Sequence, residues 1–446
     1  MTPMSAAHRL VVVLVAIIVV AAVAVLGTRA TGSGIGRGPD TSPTVDMSPS
    51  VGATDSVQPS ASPEVSAGAK PSAPSEAEAQ AILAEIEEQV VAIRGLDAAD
   101  IGPAEIISRT ELAEELQQLF DEQYPPEERE RDNISLRALG LLDPDQDVAE
   151  LQLELLGDQV LGFYDDVEKR MVVVSDTGVD VEARITYAHE YTHALQDEAF
   201  GLDSLETDAV GEDDRGLARI SLIEGDATVT MLSWILQHLS QGEILEYFSS
   251  AEVPDTTGIP SWMVGQLSFP YEAGLNWATS LAGGDPTSPD FTEIDAAYVD
   301  PPASTEQIID LEKWESREAP VSISVPDLAG ALGEGWEEVD ATPIGQASIN
   351  IMLEYFGVAA ADAGEASVGW GGDRAVITTG PDDAFAVAWK LAWDSADDAA
   401  EFLAAYETVV DSLDFPASVT ELPSGEILVA HASSEDLLAQ TVDTAD

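Results

Sequence analysis

Apolar residues recur at helical spacing from Ser75 onward, with Ile82, Ile86, Val90 and Ile93 on one face. The pattern predicts a first helix there, a second over about Glu111 to Phe120 that Pro125-Pro126 stops, and a third from Asp147 to Leu156. The stretch from Gln159 to Val174 predicts a β-hairpin turning near Asp165 to Lys169. Helical spacing returns through His189 and again, past a polar loop, from about Asp214 to Leu239. Beyond Pro320 the character changes. Arg374 to Thr379 and Ala384 to Trp393 predict a second hairpin, Ser395 to Leu413 an amphipathic helix, and Glu426 to Ala430 a last strand. The expectation is an α+β fold: a mostly helical domain with a small sheet over residues 76–320, then a separate α+β domain over 321–446.

Two segments before Ser75 read differently. Leu10 to Leu26 is an unbroken apolar run flanked by His8-Arg9 and by Arg29. Its length lies between a long signal-peptide core and a short membrane span. Residues 10–27 are therefore expected to be a signal anchor or a cleaved signal, with residues 1–9 in the cytoplasm and the bulk of the chain outside it. Residues 28–75, rich in Ser, Pro, Thr, Gly and Ala, cannot bury enough apolar surface to offset their ordering entropy, and are expected to form a flexible tether.

Charge narrows the partners. The chain carries 83 acidic and 18 basic residues, a net charge of -65. Nucleic acid and anionic membrane surfaces are excluded, because binding phosphate requires clustered Lys and Arg. The acids are spread along the chain and read as a solvated surface suited to salt. The chain has no cysteine. Thiolate metal sites, disulfides and cysteine nucleophiles are thereby ruled out, and any metal must be held by His, Asp and Glu.

One constellation carries chemistry: His189-Glu190-Tyr191-Thr192-His193. Residues four apart share a helix face, so both imidazoles can reach one metal ion. Zinc (Zn²⁺) suits neutral imidazole, lowers the pKa of a coordinated water, and leaves Glu190 to take that water's proton before attack on a carbonyl. With 5 His in the chain, chance would produce HExxH on the order of 0.005 times. On a helical wheel His189, His193, Gln196 and Phe200 share the front, while Tyr187, Tyr191 and Ala194 form an apolar back.

Glu224 falls in the middle of an apolar stripe of the next helix, made by Leu217, Ile220, Ala227, Met231 and Ile235. An unpaired carboxylate there is costly, which points to a bound cation. An Arg partner (Arg184, Arg215 or Arg219) or exposure at a frayed end would also explain it. Asp226 projects to the opposite side and is the weaker candidate. Gly225 is expected to admit close approach to the motif helix. His238 lies about 21 Å along the axis from Glu224 and is read as structural.

An HExxH helix followed by a Glu on a second helix resembles the gluzincin group of zincin metallopeptidases. The phrases HEYTHALQD, LIEGDAT and PPASTEQ, within about residues 150 to 315, resemble a set of bacterial and archaeal proteins identified as such peptidases. The resemblance implies a zincin-like catalytic domain, His189, His193 and Glu224 as zinc ligands, Glu190 as general base, and Asp197 orienting a ligand imidazole. It also implies a peptide or protein substrate paired along the hairpin of residues 159 to 174. The oxyanion donor it calls for is best matched by Tyr271; packing at a helix start also accounts for that residue. Ser304 with Gln307 fits a capping box as well as a cleft wall. Against the enzyme stands a non-catalytic zincin-like module that captures peptides or cell-surface material; the intact Glu190 argues against it. Trp370, Trp389 and Trp393 are read as core before binding surface.

Overall fold

The computed structural model describes residues 74–250 and 255–446. The expected membrane segment at 10–27 and nearly all of the expected tether at 28–75 lie outside the described residues. Among the described residues, no helix is long and apolar enough to cross a membrane.

Helix α1 (Glu76–Arg94) starts at a capping box between Ser75 and Glu78 and ends at Gly95, which takes the left-handed conformation at φ 77. It buries Ala79, Leu83, Ile86 and Val90, and at its end Arg94. Strand β1 (Glu105–Ile107) leads into α2 (Arg109–Gln123), α3 (Pro126–Ala138) and α4 (Val148–Gln159). Pro125-Pro126 separates α2 from α3: Pro125 is the N-cap of α3 and Pro126 its first residue, where the missing N–H leaves no intrahelical bond unmade. The hairpin forms as β2 (Gly162–Asp165) and β3 (Arg170–Val174). Asp165 Oδ1 accepts from the Val167 and Glu168 amides, and Lys169 takes φ 54 to close the turn. β3 is central: β1 pairs with it in parallel and β2 antiparallel, leaving β2 on an edge.

The motif helix α5 (Val181–Phe200) and the long α6 (Asp213–His238) follow, then α7 (Gln241–Ser250) and α8 (Ser261–Leu281). α6 crosses α8 at a glycine pair. A Cβ at Gly225 would meet the Gly274 carbonyl oxygen at 2.4 Å, and one at Gly274 would meet the Ser221 carbonyl oxygen at 2.3 Å. Gly225 thus admits α8, not the motif helix as expected. Short helices α9 (Thr292–Val299), α10 (Thr305–Ile309) and α11 (Leu311–Ser316) lead to the C-terminal part.

That part holds α12 (Leu328–Leu332), β4 (Glu337–Thr342), α13 (Gly345–Tyr355), α14 (Ala360–Ser367), β5 (Trp370–Thr379), β6 (Phe385–Trp393), α15 (Ala396–Ser412), β7 (Ala417–Glu421), β8 (Ile427–Ala432) and α16 (Glu435–Ala445). The antiparallel sheet runs β4-β5-β6-β8-β7. Along β6, Val387, Trp389 and Leu391 enter one core while Ala386 and Ala388 enter another, the period of a strand covered on both faces. Trp370 and Trp389 are core residues, both giving their indole N–H to the buried Asp373.

The change of character at Pro320 predicts two cores, but one hydrophobic cluster crosses it. Leu112, Leu116 and Phe120 of α2 join Trp389, Leu391 and Val429 of the sheet in that cluster. His431 Nδ1 lies 2.9 Å from the Ala138 carbonyl, and burial pushes that imidazole down to about 4. Neutral His431 can donate there from Nδ1.

Candidate metal centre

α5 runs through the interior, with Ile185 to Asp197 buried throughout. Its back carries stacked Tyr187 and Tyr191, and the Tyr187 hydroxyl donates to Glu87 of α1 at 2.5 Å. That packing turns His189 and His193 toward α6, where Glu224 meets them. Nε2 of His189 lies 3.2 Å from Glu224 Oε2 and 3.1 Å from Nε2 of His193; the latter is 3.6 Å from the same oxygen. Tetrahedral zinc with bonds of ~2.0–2.1 Å spaces its ligand atoms ~3.3 Å apart, and the three separations bracket that value. The arginines that could have explained Glu224 are engaged elsewhere: Arg184 with Glu243, Arg215 with Glu206 and Glu212, Arg219 with the Leu205 carbonyl. The donor set, two buried imidazoles and a buried carboxylate, fits a divalent cation of the zinc type.

Electrostatics agree with the geometry. Burial raises Glu224, but the facing His193 and His189 outweigh it and hold the carboxyl low, as an anion. Burial lowers His193, and Glu224 outweighs that and raises it; at His189 burial wins and lowers the imidazole. A cation bound at His193 Nε2 would compete with a proton there.

Glu190 is 1 % exposed. Burial raises its carboxyl well above the usual range, opposed by His193 and supported by Glu224, with a Tyr164 backbone hydrogen bond lowering it. Its Oε2 bonds to no other protein group. The edge strand β2 lies against it: a Cβ at Gly162 would stand 2.7 Å from Thr186 Cγ2 and 3.4 Å from Glu190 Cγ. The Tyr271 ring of α8 lies 6.3 Å from the His189 ring, tilted by 33°, and the residue is buried.

Behind His189, His193 and Glu224 stands a brace that the sequence did not single out. Gln196 Nε2 donates to the Ile223 carbonyl at 3.0 Å and to Asp226 at 2.9 Å, which turns its oxygen to His193 Nδ1 at 2.8 Å. An acceptor at Nδ1 puts the imidazole proton there and leaves the Nε2 lone pair for a metal. Asp226 is in turn held by Arg94 at 2.8 Å and by the Tyr298 hydroxyl at 3.0 Å. Arg94 also reaches Asp295 at 2.5 Å and stacks on Phe291 at 4.5 Å. Asp226, read as the weaker candidate, is the anchor of this brace. Gln196 on the ligand face and a lone Arg in register with the apolar stripe of α1 were its signals.

Asp197 does not orient an imidazole. It accepts from the Tyr164 hydroxyl at 2.8 Å and from the Lys169 ammonium, tying α5 to the hairpin. His238 stacks on Trp234 away from the ligands, as expected. The capping box at Ser304 is not formed: the Ser304 side chain makes no cap bond, and Gln307 accepts from the Ala303 amide and donates to the Glu318 carbonyl. Thr305 instead holds buried Asp214. The PPASTEQ phrase is internal scaffolding.

Comparison with known proteins reaches only the C-terminal part. No curated protein and no solved structure matches the chain. A family model described as a domain of unknown function (DUF8575) matches residues 334–435, which include none of the three metal-facing side chains.

Proposed function

We propose that this chain is a zinc-dependent peptidase with a zincin-like, gluzincin-type catalytic region, working outside the cytoplasm on a peptide or protein substrate. The observation that carries the proposal is the convergence of His189, His193 and Glu224, whose donor atoms all lie within 4.8 Å of one another. When bound, a zinc ion supplies Lewis acidity and makes water a nucleophile near neutral pH. The chain's own residues do the rest. His189, His193 and Glu224 hold the cation, and Gln196 keeps His193 in the tautomer that can ligate it. Glu190, buried and with one oxygen bonded to no protein group, accepts the proton of an attacking water and returns it to the leaving amine. Tyr271, beside His189, is the donor suited to a developing oxyanion. The edge of β2 next to Glu190 is where an extended backbone would pair. The apolar run at 10–27 would tether the head to the membrane as an anchor, or be removed as a signal.

The test compares the full-length chain with its Glu190→Gln variant in metal content and peptide hydrolysis. Stoichiometric zinc in both, with hydrolysis by the wild type alone, is expected. Zinc in both with equal hydrolysis removes Glu190 from the chemistry, and no stoichiometric metal in either removes the site.

A second reading, a structural cation in a non-catalytic module, has one observation behind it. His189, Glu190, His193 and Glu224 are each no more than 5 % exposed, as in closed structural sites. Under this reading chelation unfolds the chain and neither protein cleaves peptides.

A further inference from the structure

The described residues line a pocket that the metal centre does not use. It lies between α3, α4, the first turn of α6, α8 and the corner from β4 to α13, and holds about 190 Å³. Leu139, Leu155, Leu156, Trp262, Met263 and Met352 give it an apolar wall. An apolar cavity of ~150 Å³ admits a benzene ring, so there is room here for a ring and a short chain.

Two features separate this pocket from a packing defect. Ser135 and Gln152 line it at 7 % and 9 % exposure, and Ser135 Oγ and Gln152 Oε1 bond to no other protein group. Buried polar atoms left so are costly and ordinarily find a partner. The ionisable residues lining it, Asp132, Asp213 and Asp340, are all acids, with no Lys, Arg or His among the lining residues. Arg131 and Arg374 act on these carboxylates from outside the lining. Asp132 Oδ2 accepts from the Tyr124 hydroxyl at 2.6 Å, which opposes burial there; burial, with the neighbouring carboxylates adding to it, still pushes Asp132 and Asp340 up to about 7, so a cation among them would favour their ionised form.

We propose that this pocket binds a small apolar molecule carrying a protonated primary amine. The ring or alkyl body lies against Leu155, Trp262 and Met352. The ammonium meets the Asp132, Asp213 and Asp340 carboxylates, and the acceptor of Gln152 and the hydroxyl of Ser135 complete its hydrogen bonds. Apolar surface gives such a complex its affinity and the acids give it its sign. The pocket shares α6 with Glu224 through Asp213 and Leu217, yet the proposal does not depend on the metal.

Calorimetric titration of the full-length chain with 2-phenylethylamine, 3-phenylpropionate and propylbenzene tests it. Saturable binding of the amine at one per chain is expected, with the carboxylate at least about ten-fold weaker. Asp340→Asn, which keeps an acceptor for the Ala341 amide that Asp340 now serves at 2.8 Å, should weaken the amine about ten-fold and leave propylbenzene unchanged. Leu156→Trp should abolish binding of all three by filling the space. Three outcomes overturn the proposal: no saturable amine binding, which leaves Ser135 and Gln152 to water; equal binding of the three probes; or an amine preference that survives Asp340→Asn.

Discussion

The Gln196 carboxamide oxygen lies 2.8 Å from His193 Nδ1, one helical turn away on the same face of α5. Gln196 cannot be turned end for end without placing its oxygen against the Ile223 carbonyl and the Asp226 carboxylate that its nitrogen now serves. Replacing it with Ala removes what selects the tautomer while leaving all three ligands in place. Zinc affinity of Gln196→Ala should fall ~10–100-fold, read by competition with a chromophoric chelator, with the circular dichroism spectrum unchanged. Affinity equal to wild type would show that His193 is oriented by its packing alone.

Arg94 and Asp226 form an ion pair with neither side chain exposed. Breaking such a pair from one side strands the other charge, at about 3–5 kcal/mol. Arg94→Met should lower the free energy of urea unfolding by that amount, and Arg94→Lys, which keeps the charge but loses the two-pronged contact, by less. A loss below about 1 kcal/mol for Arg94→Met would mean that Asp226 is satisfied by Gln196 and Tyr298 without it.

Glycine to alanine should change sign between two helices. At Gly157 in α4 an added Cβ meets nothing within 4 Å, so Gly157→Ala should stabilise by about 0.5–1 kcal/mol. At Gly225 the same methyl strikes the Gly274 backbone at 2.4 Å, and neither helix can yield locally. A net loss of about 1–3 kcal/mol is expected for Gly225→Ala, measured in the same denaturant series. Stabilisation at both positions would sink the close crossing of α6 and α8.

Burial pushes the Asp214 carboxyl up to about 8, opposed by its bonds from Thr305. Its folded pKa thus exceeds the unfolded ~3.9, so the folded state holds a proton that the unfolded chain gives up between those values. This contribution to stability is complete below about pH 4 and is lost as pH rises through about 8, with a slope approaching 1.4 kcal/mol per pH unit. Asp214→Asn should flatten that part of the profile. Chemical denaturation of both proteins from pH 4 to pH 8, at one fixed salt concentration, gives the difference. Parallel profiles would show that Asp214 ionises freely in the fold.

The helices of the metal centre were legible because their patterns are local. The spacing of His189 and His193 lies within one or two turns of chain, and the apolar stripe around Glu224, from Leu217 to Ile235, lies within a single helix. Strand β1 was not legible, since three residues are too few to show an alternation, and what makes them a strand is β3, far along the sequence. Strands β4 and β7 escaped for a related reason: Glu337–Thr342 and Ala417–Glu421 are sheet edges, largely polar, and their alternation rests on only two apolar residues each, Val339 with Ala341 and Ala417 with Val419. Asp197 looked like the orienting acid by its place after His193, whereas Gln196 took that role because Asp226 and Ile223 approach from another helix. The core shared across residue 320 depends on pairings that no local window contains.

That shared core has a kinetic consequence. The contact between His431 and Ala138 joins residues 293 apart in sequence, and the face of α3 that packs on β4, β5 and β6 stays uncovered until those strands have been made. Closing so long a loop is slow, because its entropy is lost before the contacts form. A chain emerging from the ribosome therefore carries its metal-facing helices well before it can finish the core beside them. Until the last strands arrive, the nascent protein exposes a sticky surface of the kind that holdase chaperones shield.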